Sequence, residues 1–209
     1  MSIIATDLDG TIFKGQTLID GVKEGLLKII NEGIEIYYTT NNSSQTPSEI
    51  KDKLEYLLQL NIDISKIITP LVIFQNLYSN NTSNIFIYGS DNLKNYIKNL
   101  NINVTSLENA ELVLIGRKEE NNFSEINEII KNVSLGKNIL SLNKDLTFPT
   151  EFGEKAGNGA VVKIIEDELS INIPTLGKSG EHYSSYFIQN KIIVNYVIGD
   201  RVDTDIIFG

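Results

Sequence analysis

Residues 3–11 read Ile3-Ile4-Ala5-Thr6-Asp7-Leu8-Asp9-Gly10-Thr11, a short apolar run that ends in two aspartates one residue apart. In an extended strand, side chains two positions apart point to the same side, so both carboxylates should enter one small volume. Carboxylates that close repel each other unless a cation or a shared proton lies between them. Gly10 allows a sharp turn after the pair. The stretch predicts a strand that delivers two acids to a cation site, although Asp-Gly is also a common turn signal.

The composition is that of a globular protein with an acidic surface. The 209 residues are 41% hydrophobic and 22% charged, and the formal net charge is −9. Because such a charge repels phosphate backbones, we expect no nucleic-acid partner. The chain has no cysteine, which excludes thiolate chemistry, and its single histidine, His182, excludes a zinc site that needs several histidines.

The sequence carries no sign of export or membrane insertion. No apolar run approaches the roughly 18 residues of a membrane span. The acidic residue Asp7 interrupts the N-terminal apolar run before it is long enough for a signal peptide. We therefore expect a cytoplasmic protein with no membrane partner, and a homodimer is compatible with the sequence.

Apolar β-rich runs alternate with segments of helical periodicity, which predicts an α/β fold with a largely parallel sheet. We expect strands at Ile3–Thr6, Ile34–Thr39, Ile85–Tyr88, Leu112–Ile115, Ile139–Leu142 and Ile192–Ile198. We expect helices from Val22 to Gly33, after Thr46, from about Pro70, and at Leu93–Leu100, Phe123–Val133, Val161–Leu169 and Glu181–Gln189. The clearest helix start is Thr46-Pro47-Ser48-Glu49, which combines an N-cap, a first-turn proline and a capping box. The stretch from Asn143 to Gly159 is rich in turn residues.

Polar residues follow several of these predicted strands. Asp7, Thr40 and Asp200 each come directly after one, and Lys178 follows another short approach at residues 174–177. Ligands of open α/β sheets bind at the carboxyl ends of the strands. We therefore expect these four side chains to meet in one crevice.

Such a crevice suits a phosphate monoester and Mg²⁺, a hard cation that prefers oxygen ligands. Asp7 and Asp200 would supply carboxylates to the metal, and the backbone carbonyl of Asp9 would supply a further oxygen. Asp7 would then attack phosphorus and form an aspartyl-phosphate. Asp9, with a pKa raised by its acidic neighbour, would act as general acid and then as general base.

The remaining polar residues suit the phosphoryl group itself. Thr40 would donate its hydroxyl and Asn41 its backbone N–H, and Lys178 would supply the positive charge that assists catalysis. Asp205 would not bind the metal ion directly but would hold Lys178 or a metal-bound water in position. A small phosphorylated metabolite is the substrate that this arrangement predicts.

Four motifs of the chain resemble those of the haloacid dehalogenase-like (HAD) superfamily, in its type IIA, NagD-like and p-nitrophenyl phosphatase-like branch. They are Asp7-Leu8-Asp9-Gly10-Thr11, Thr40-Asn41-Asn42, Lys178, and Gly199-Asp200 through Asp205. The resemblance implies a Mg²⁺-dependent phosphatase with a Rossmann-like parallel sheet, Asp7 as nucleophile and Asp9 as acid and base.

The spacing of the motifs predicts the domain organisation. The interval between Asp9 and Thr40 holds one helix and one strand, whereas that between Asn41 and Lys178 is long enough for an inserted α/β cap, which this branch carries there. We expect a discontinuous core of residues 1–75 and 175–209 and a cap of residues 76–174. Family members continue beyond the fourth motif, so we expect the edge strand after Asp205 to be missing.

Part of the cap resembles the substrate-facing loop of the family. Asn143-Lys144-Asp145 matches its motif, with Lys144 in place of the usual proline. The resemblance assigns Asn143 and Asp145 to the substrate. Sugar phosphates, nucleoside monophosphates, phosphoglycolate and pyridoxal phosphate all remain open as substrates.

Two other functions stay open. A dehalogenase-type hydrolase of the same superfamily is disfavoured by Asp9, because such an enzyme has no alkoxide to protonate. A non-catalytic protein that binds phosphorylated metabolites would need the same site without turnover.

Overall fold

The computed structural model describes residues 2–80, 82–150 and 153–208. The strands are β1 (Ile3–Asp7), β2 (Phe13–Lys14), β3 (Thr17–Leu18), β4 (Glu35–Thr39), β5 (Ile67–Ile68), β6 (Ile85–Tyr88), β7 (Leu112–Ile115), β8 (Asn138–Ser141), β9 (Thr147–Thr150), β10 (Gly153–Ala156) and β11 (Tyr196–Ile198). The helices are α1 (Val22–Asn31), α2 (Pro47–Leu58), α3 (Pro70–Tyr78), α4 (Asp91–Asn99), α5 (Phe123–Ser134), α6 (Asn158–Leu169) and α7 (Glu181–Gln189). None of these helices has the length and apolarity that crossing a membrane requires.

The first sheet is parallel and has the strand order β11-β1-β4-β5. Its central strand β1 pairs Ile4 with Ile36 of β4 on one side and with Tyr196 of β11 on the other. Residues 4–7 are all buried, as expected for a parallel strand covered by helices on both faces. The apolar run that opens the sequence therefore lies at the centre of a sheet.

The second sheet is also parallel and has the strand order β6-β7-β8. All four residues of its central strand β7 are buried. Two antiparallel hairpins, β2–β3 and β9–β10, complete the strand pairing of the described residues. The predicted fold class, a Rossmann-like parallel sheet with a second α/β unit, is confirmed.

Three buried clusters hold the helices on these sheets. One packs α1 and α2 against the first sheet, and another packs α5 and α6 against the second. The third contains residues of α3, α4, α7 and both sheets, such as Leu71, Leu93, Leu114 and Tyr183. The two sheets therefore share part of their hydrophobic core.

Some elements differ from the sequence prediction. Strand β11 begins at Tyr196 rather than Ile192, because only residues 196–198 pair with β1. Thr175 forms a bridge with Ser141 next to β8, so the approach to Lys178 runs along the second sheet rather than the first. The stretch predicted as turns contains the hairpin β9–β10, apart from residues 151 and 152, which lie outside the described residues.

Candidate active site

Residues that follow strands of both sheets line one cavity of about 330 Å³. Eight of the side chains predicted for the site are part of its wall: Asp7, Asp9, Thr40, Asn41, Asn143, Asp145, Lys178 and Asp200. The ninth, Asp205, is 2% exposed and contacts Lys178. The structure thus brings together residues that lie almost 200 positions apart in the chain.

Three carboxylates form a tight group in this cavity. One oxygen each of Asp7, Asp200 and Asp205 lies within 4.8 Å of the others. Gly10 makes room for this group, because a Cβ there would lie 2.2 Å from Asp200 Oδ2, and its φ of +98° suits only glycine. The predicted metal set of Asp7, Asp9 and Asp200 shares two acids with this group, and the predicted backbone carbonyl of Asp9 stays a prediction because the group consists of side-chain carboxylates.

Lys178 lies between two of these acids. Its Nζ is 2.5 Å from Asp7 Oδ1 and 2.6 Å from Asp205 Oδ1, and the side chain is almost fully buried. The second oxygen of Asp205 accepts the backbone N–H of Arg201. Both oxygens of Asp205 therefore have protein partners, which leaves Asp7 and Asp200 as the acids available to a metal ion.

The donor set of Asp7 and Asp200 fits a hard divalent cation. Asp7 Oδ2 is buried and has no hydrogen-bond partner among the described residues, whereas Asp200 is exposed at the cavity. A buried carboxylate oxygen without a partner is costly, and a bound cation removes that cost. Carboxylate oxygens are also the ligands that Mg²⁺ prefers.

Burial perturbs both acids of the first motif. It raises the pKa of Asp7 to about 6, although Lys178 acts in the opposite direction. Burial also raises the pKa of Asp9; Lys53 opposes this shift and Asp200 adds to it. The sequence predicts that an acidic neighbour raises the pKa of Asp9, and Asp200 does so in the structure, but desolvation is the larger cause of the shift.

The loop after β4 is held in place by its own side chains. Thr40 Oγ1 accepts the N–H of Asn42 at 2.9 Å, and Asn41 Oδ1 accepts the N–H of Lys178 at 2.8 Å. The Thr40 hydroxyl keeps its hydrogen for donation while it accepts this bond. A Cβ at Gly177 would lie 2.9 Å from Asn41 Oδ1, so the glycine permits this close approach. The second and third motifs are therefore bonded directly to each other.

The two predicted cap residues also contact this loop. Asn143 Nδ2 donates to the carbonyl oxygen of Asn41 at 2.8 Å and lies 3.2 Å from Ser43 Oγ. Asp145 Oδ1 accepts Asn41 Nδ2 at 3.0 Å. The side-chain amide of Asn143 thus holds the loop, and the contact of Asn143 with the substrate stays a prediction.

The sequence prediction missed several residues of the cavity wall, among them Lys53 and Arg117. Lys53 Nζ lies 3.5 Å from the centre of the Phe13 ring, and its charge favours the ionised form of Asp9. Lys53 lies three residues after Ile50 and four before Leu57, so helical periodicity places it on the same face of α2 as these apolar residues. This spacing could have identified Lys53 from the sequence. Arg117 comes two residues after the end of β7. A search for polar residues just after the predicted strands would therefore have identified it.

This fold and site have relatives among known proteins. A family model described as "Haloacid dehalogenase-like hydrolase" matches residues 4–103, which include the first two motifs. An acid sugar phosphatase from Staphylococcus epidermidis is 28% identical over 97% of the chain and 80% of that relative. These matches support the resemblance of the chain to the haloacid dehalogenase-like hydrolases.

Solved structures of p-nitrophenyl phosphatases support the resemblance to the type IIA, NagD-like branch. A variant of a thermostable p-nitrophenyl phosphatase (NPPase) from Geobacillus stearothermophilus is 26% identical, with a TM-score of 0.83 over 99% of this chain and 83% of that chain. The p-nitrophenyl phosphatase from Archaeoglobus fulgidus has a TM-score of 0.89 over 99% and 81% of the two chains. Its identity is 20%, so it shows the shared fold.

Proposed function

We propose that this haloacid dehalogenase-like phosphatase hydrolyses small phosphate monoesters with Mg²⁺ and through an aspartyl-phosphate on Asp7. The observation that carries the proposal is the environment of the Asp7 carboxylate. One oxygen is 2.5 Å from Lys178 Nζ, and the other is buried and has no hydrogen-bond partner among the described residues. An oxygen of Asp200 lies within 4.8 Å of an oxygen of Asp7. This arrangement orients a nucleophile and leaves it one free oxygen for a cation.

Asp7 and Asp200 would hold the metal ion. Bound there, Mg²⁺ supplies positive charge that offsets the repulsion between these carboxylates and a dianionic phosphate. Lys178 adds a further positive charge on the other side of Asp7. Asp205 fixes the position of the Lys178 ammonium group, because it accepts a hydrogen bond from Nζ.

Asp7 and Asp9 then carry out two successive displacement reactions at phosphorus. In the first, a carboxylate oxygen of Asp7 bonds to phosphorus, the ester P–O bond breaks, and Asp9 gives its proton to the leaving oxygen. In the second, Asp9 takes a proton from water, the water oxygen bonds to phosphorus, and the bond to Asp7 breaks. The products are an alcohol and inorganic phosphate, and both acids return to their starting state.

The burial of Asp9 supports its role as the proton donor. Desolvation raises the pKa of Asp9, so the protonated form that the first displacement needs is favoured. A dehalogenase-type reaction has no use for this proton. Thr40, the Asn41 N–H and Lys178 would bind the phosphoryl oxygens, because they lie in the same cavity wall.

The size of the cavity supports a small substrate. A volume of about 330 Å³ lies at the lower end of the range of ligand sites, roughly 300–1,000 Å³. We further propose that residues 76–174 form a cap on a core of residues 1–75 and 175–209. The second sheet supports this division, because its loops supply Arg117, Asn143 and Asp145 to the cavity.

Hydrolysis of p-nitrophenyl phosphate tests the proposal. We expect turnover with Mg²⁺ that EDTA abolishes, and Asp7→Asn should lower kcat by roughly 10³-fold or more, because the amide is not a nucleophile. Asp167→Asn, a change at an exposed acid of α6, is the control and should leave kcat within about two-fold. Unchanged turnover in Asp7→Asn would rule the mechanism out.

A further inference from the structure

Asn41 uses three of its four polar groups for hydrogen bonds within the chain. Its side-chain oxygen accepts the Lys178 N–H at 2.8 Å, and its side-chain nitrogen donates to Asp145 at 3.0 Å. Its backbone carbonyl accepts Asn143 Nδ2 at 2.8 Å. The backbone N–H of Asn41 has no hydrogen-bond partner among the described residues. Because the other three groups are bonded, they fix the direction of this N–H in the cavity wall.

The N–H groups on either side of Asn41 are already bonded. The Thr40 N–H donates to the carbonyl of Ile68 at 3.1 Å, and the Asn42 N–H donates to Thr40 Oγ1 at 2.9 Å. Within residues 40–42, Asn41 is therefore the position whose backbone N–H can bind a phosphoryl oxygen. Neither neighbour can replace this donor if its direction changes, so the affinity for phosphate should depend on how Asn41 is held.

Asn143 reaches Asn41 from the second sheet, where its own backbone is held by hydrogen bonds. Its carbonyl accepts the Ser141 hydroxyl at 2.5 Å and Asn158 Nδ2 at 2.8 Å. Asn158 Nδ2 also donates to the carbonyl of Ile115, at the end of β7, at 3.2 Å. Ser141, Asn143 and Asn158 are all buried, so these bonds are shielded from water. The second sheet therefore gives Asn143 a fixed support.

Close packing joins the two asparagines to the backbone of the third motif. A Cβ at Gly177 would lie 2.9 Å from Asn41 Oδ1 and 3.2 Å from Asn143 Cβ. Both asparagines therefore pack directly against the backbone that precedes Lys178. Asn143 is the member of this group that connects it to the second sheet.

We propose that Asn143 is a positioning residue whose side-chain amide directs the Asn41 N–H toward the phosphoryl group, so that the second sheet controls the affinity for phosphate. The proposal rests on the function proposed above, in which the Asn41 N–H binds a phosphoryl oxygen. A hydrogen bond weakens steeply as the angle at its hydrogen departs from linearity. Bonds to an ionised acceptor are roughly twice as strong as neutral ones, so a loss of alignment should be measurable.

Inorganic phosphate distinguishes this positioning role from a direct contact of Asn143 with the rest of the substrate. Inorganic phosphate has no carbon skeleton, so a residue that contacts only that part of a substrate should not affect its binding. A residue that directs the Asn41 N–H should weaken inorganic phosphate and every phosphate ester by the same factor. The two roles therefore predict different results for one variant.

Calorimetric binding of inorganic phosphate in the presence of Mg²⁺ tests the proposal. We expect Asn143→Leu, which keeps the approximate size of the side chain but removes the donor, to weaken this binding by about ten-fold. KM for p-nitrophenyl phosphate and for glycerol 3-phosphate should rise by a similar factor, and kcat should change less than KM. Asn143→Ala should give the same loss, because the donor and not the volume is the cause.

Asn109→Ala is the matched control. Asn109 Nδ2 also donates a side-chain hydrogen bond, to Ser106 Oγ at 3.2 Å, but this residue is exposed and does not line the cavity. The control should keep phosphate binding within about two-fold, and thermal unfolding checks that each variant is folded. Unchanged phosphate binding in a folded Asn143→Leu variant, a loss in Asn143→Ala alone, or a rise in KM for one ester only would overturn the proposal.

The design separates this inference from the function on which it rests, because calorimetry needs no turnover. If the wild-type protein binds phosphate but hydrolyses neither ester, the proposed function fails and the variants still decide the role of Asn143. If both esters are hydrolysed with the same KM by the wild-type protein and Asn143→Leu, the phosphatase stands and the positioning role is contradicted. A wild-type protein that binds no inorganic phosphate contradicts the inference, whatever its turnover.

Discussion

Lys178 links the nucleophile to the rest of the site more directly than any other residue described above. Its ammonium group is buried between Asp7 and Asp205, and its backbone N–H is bound by Asn41. A buried charge is stable only with partners, so Lys178 depends on the two carboxylates and each carboxylate depends on Lys178. The same contacts that orient the chemistry therefore contribute to the stability of the fold.

Replacement of Lys178 should accordingly cost stability as well as activity. Lys178→Met keeps a long side chain but leaves two buried acids without their cation, and we expect a loss of about 3 kcal/mol or more in the free energy of unfolding. Lys163→Met breaks the exposed pair with Asp167 and should cost below about 1 kcal/mol. Urea denaturation in EDTA measures both. Similar losses in the two variants would contradict the account of Lys178.

At this scale the sequence was informative wherever a polar residue directly follows a strand. Asp7, Thr40 and Asp200 were predicted to meet for that reason, and they line one cavity. Arg117 was not predicted because the rule was applied only to strands of the first sheet. The place of Asp205 beside Asp7 depends on the turn at residues 202–206, a π-helical turn that no residue pattern announces.

Among the elements, α2 shows how local sequence positions part of the site. Thr46 and Glu49 form the predicted capping box, in which each side chain accepts the backbone N–H of the other residue. The cap fixes where the helix starts after the Thr40 loop. It therefore also fixes Lys53, which faces Asp9 from the second turn.

Loss of this cap should destabilise the protein without removing a side chain from the cavity. We expect Thr46→Ala to lower stability by about 1 kcal/mol, which corresponds to roughly 2–4 °C in Tm. Thr46→Ser keeps the hydroxyl and should keep most of the stability. Thermal unfolding followed by circular dichroism compares them, and a Thr46→Ser variant as unstable as Thr46→Ala would show that the cap is not the cause.

Long periodic elements were predictable and short ones were not. The bounds of β6, β7 and α7 agree with the prediction, because each is an unbroken apolar or amphipathic run. Strands β2, β3 and β5 have two residues each, too few to show any alternation. The hairpin β9–β10 contains a proline and a glycine, which favoured the prediction of turns.

For the whole molecule, the shared hydrophobic cluster is the main constraint. It joins α3 and α7 to strands of both sheets. The second sheet is therefore buried in part by residues that lie outside the proposed cap of residues 76–174. Phe74, fully buried in α3, lies close to that boundary and stacks on Tyr78 with ring centres 4.8 Å apart. We therefore expect the two sheets to unfold together.

Phe74→Ala tests this coupling. The loss of a buried ring should cost about 3–5 kcal/mol, and hydrogen exchange followed by mass spectrometry should show faster exchange of the amides of both β1 and β7. Phe123→Ala, at a side chain that is 66% exposed on α5, should change neither. Faster exchange in only one of the two strands would mean that the sheets are independent units.

The central claim is that the Asp7 carboxylate bonds to phosphorus, and trapping of the phosphorylated enzyme tests it most directly. Turnover with Mg²⁺ is stopped by acid, the acyl phosphate is reduced with borohydride to homoserine, and the modified position is read by mass spectrometry. The account predicts modification at Asp7 alone. An enzyme that turns over but is modified at another acid, such as Asp9 or Asp200, or at none, would contradict it.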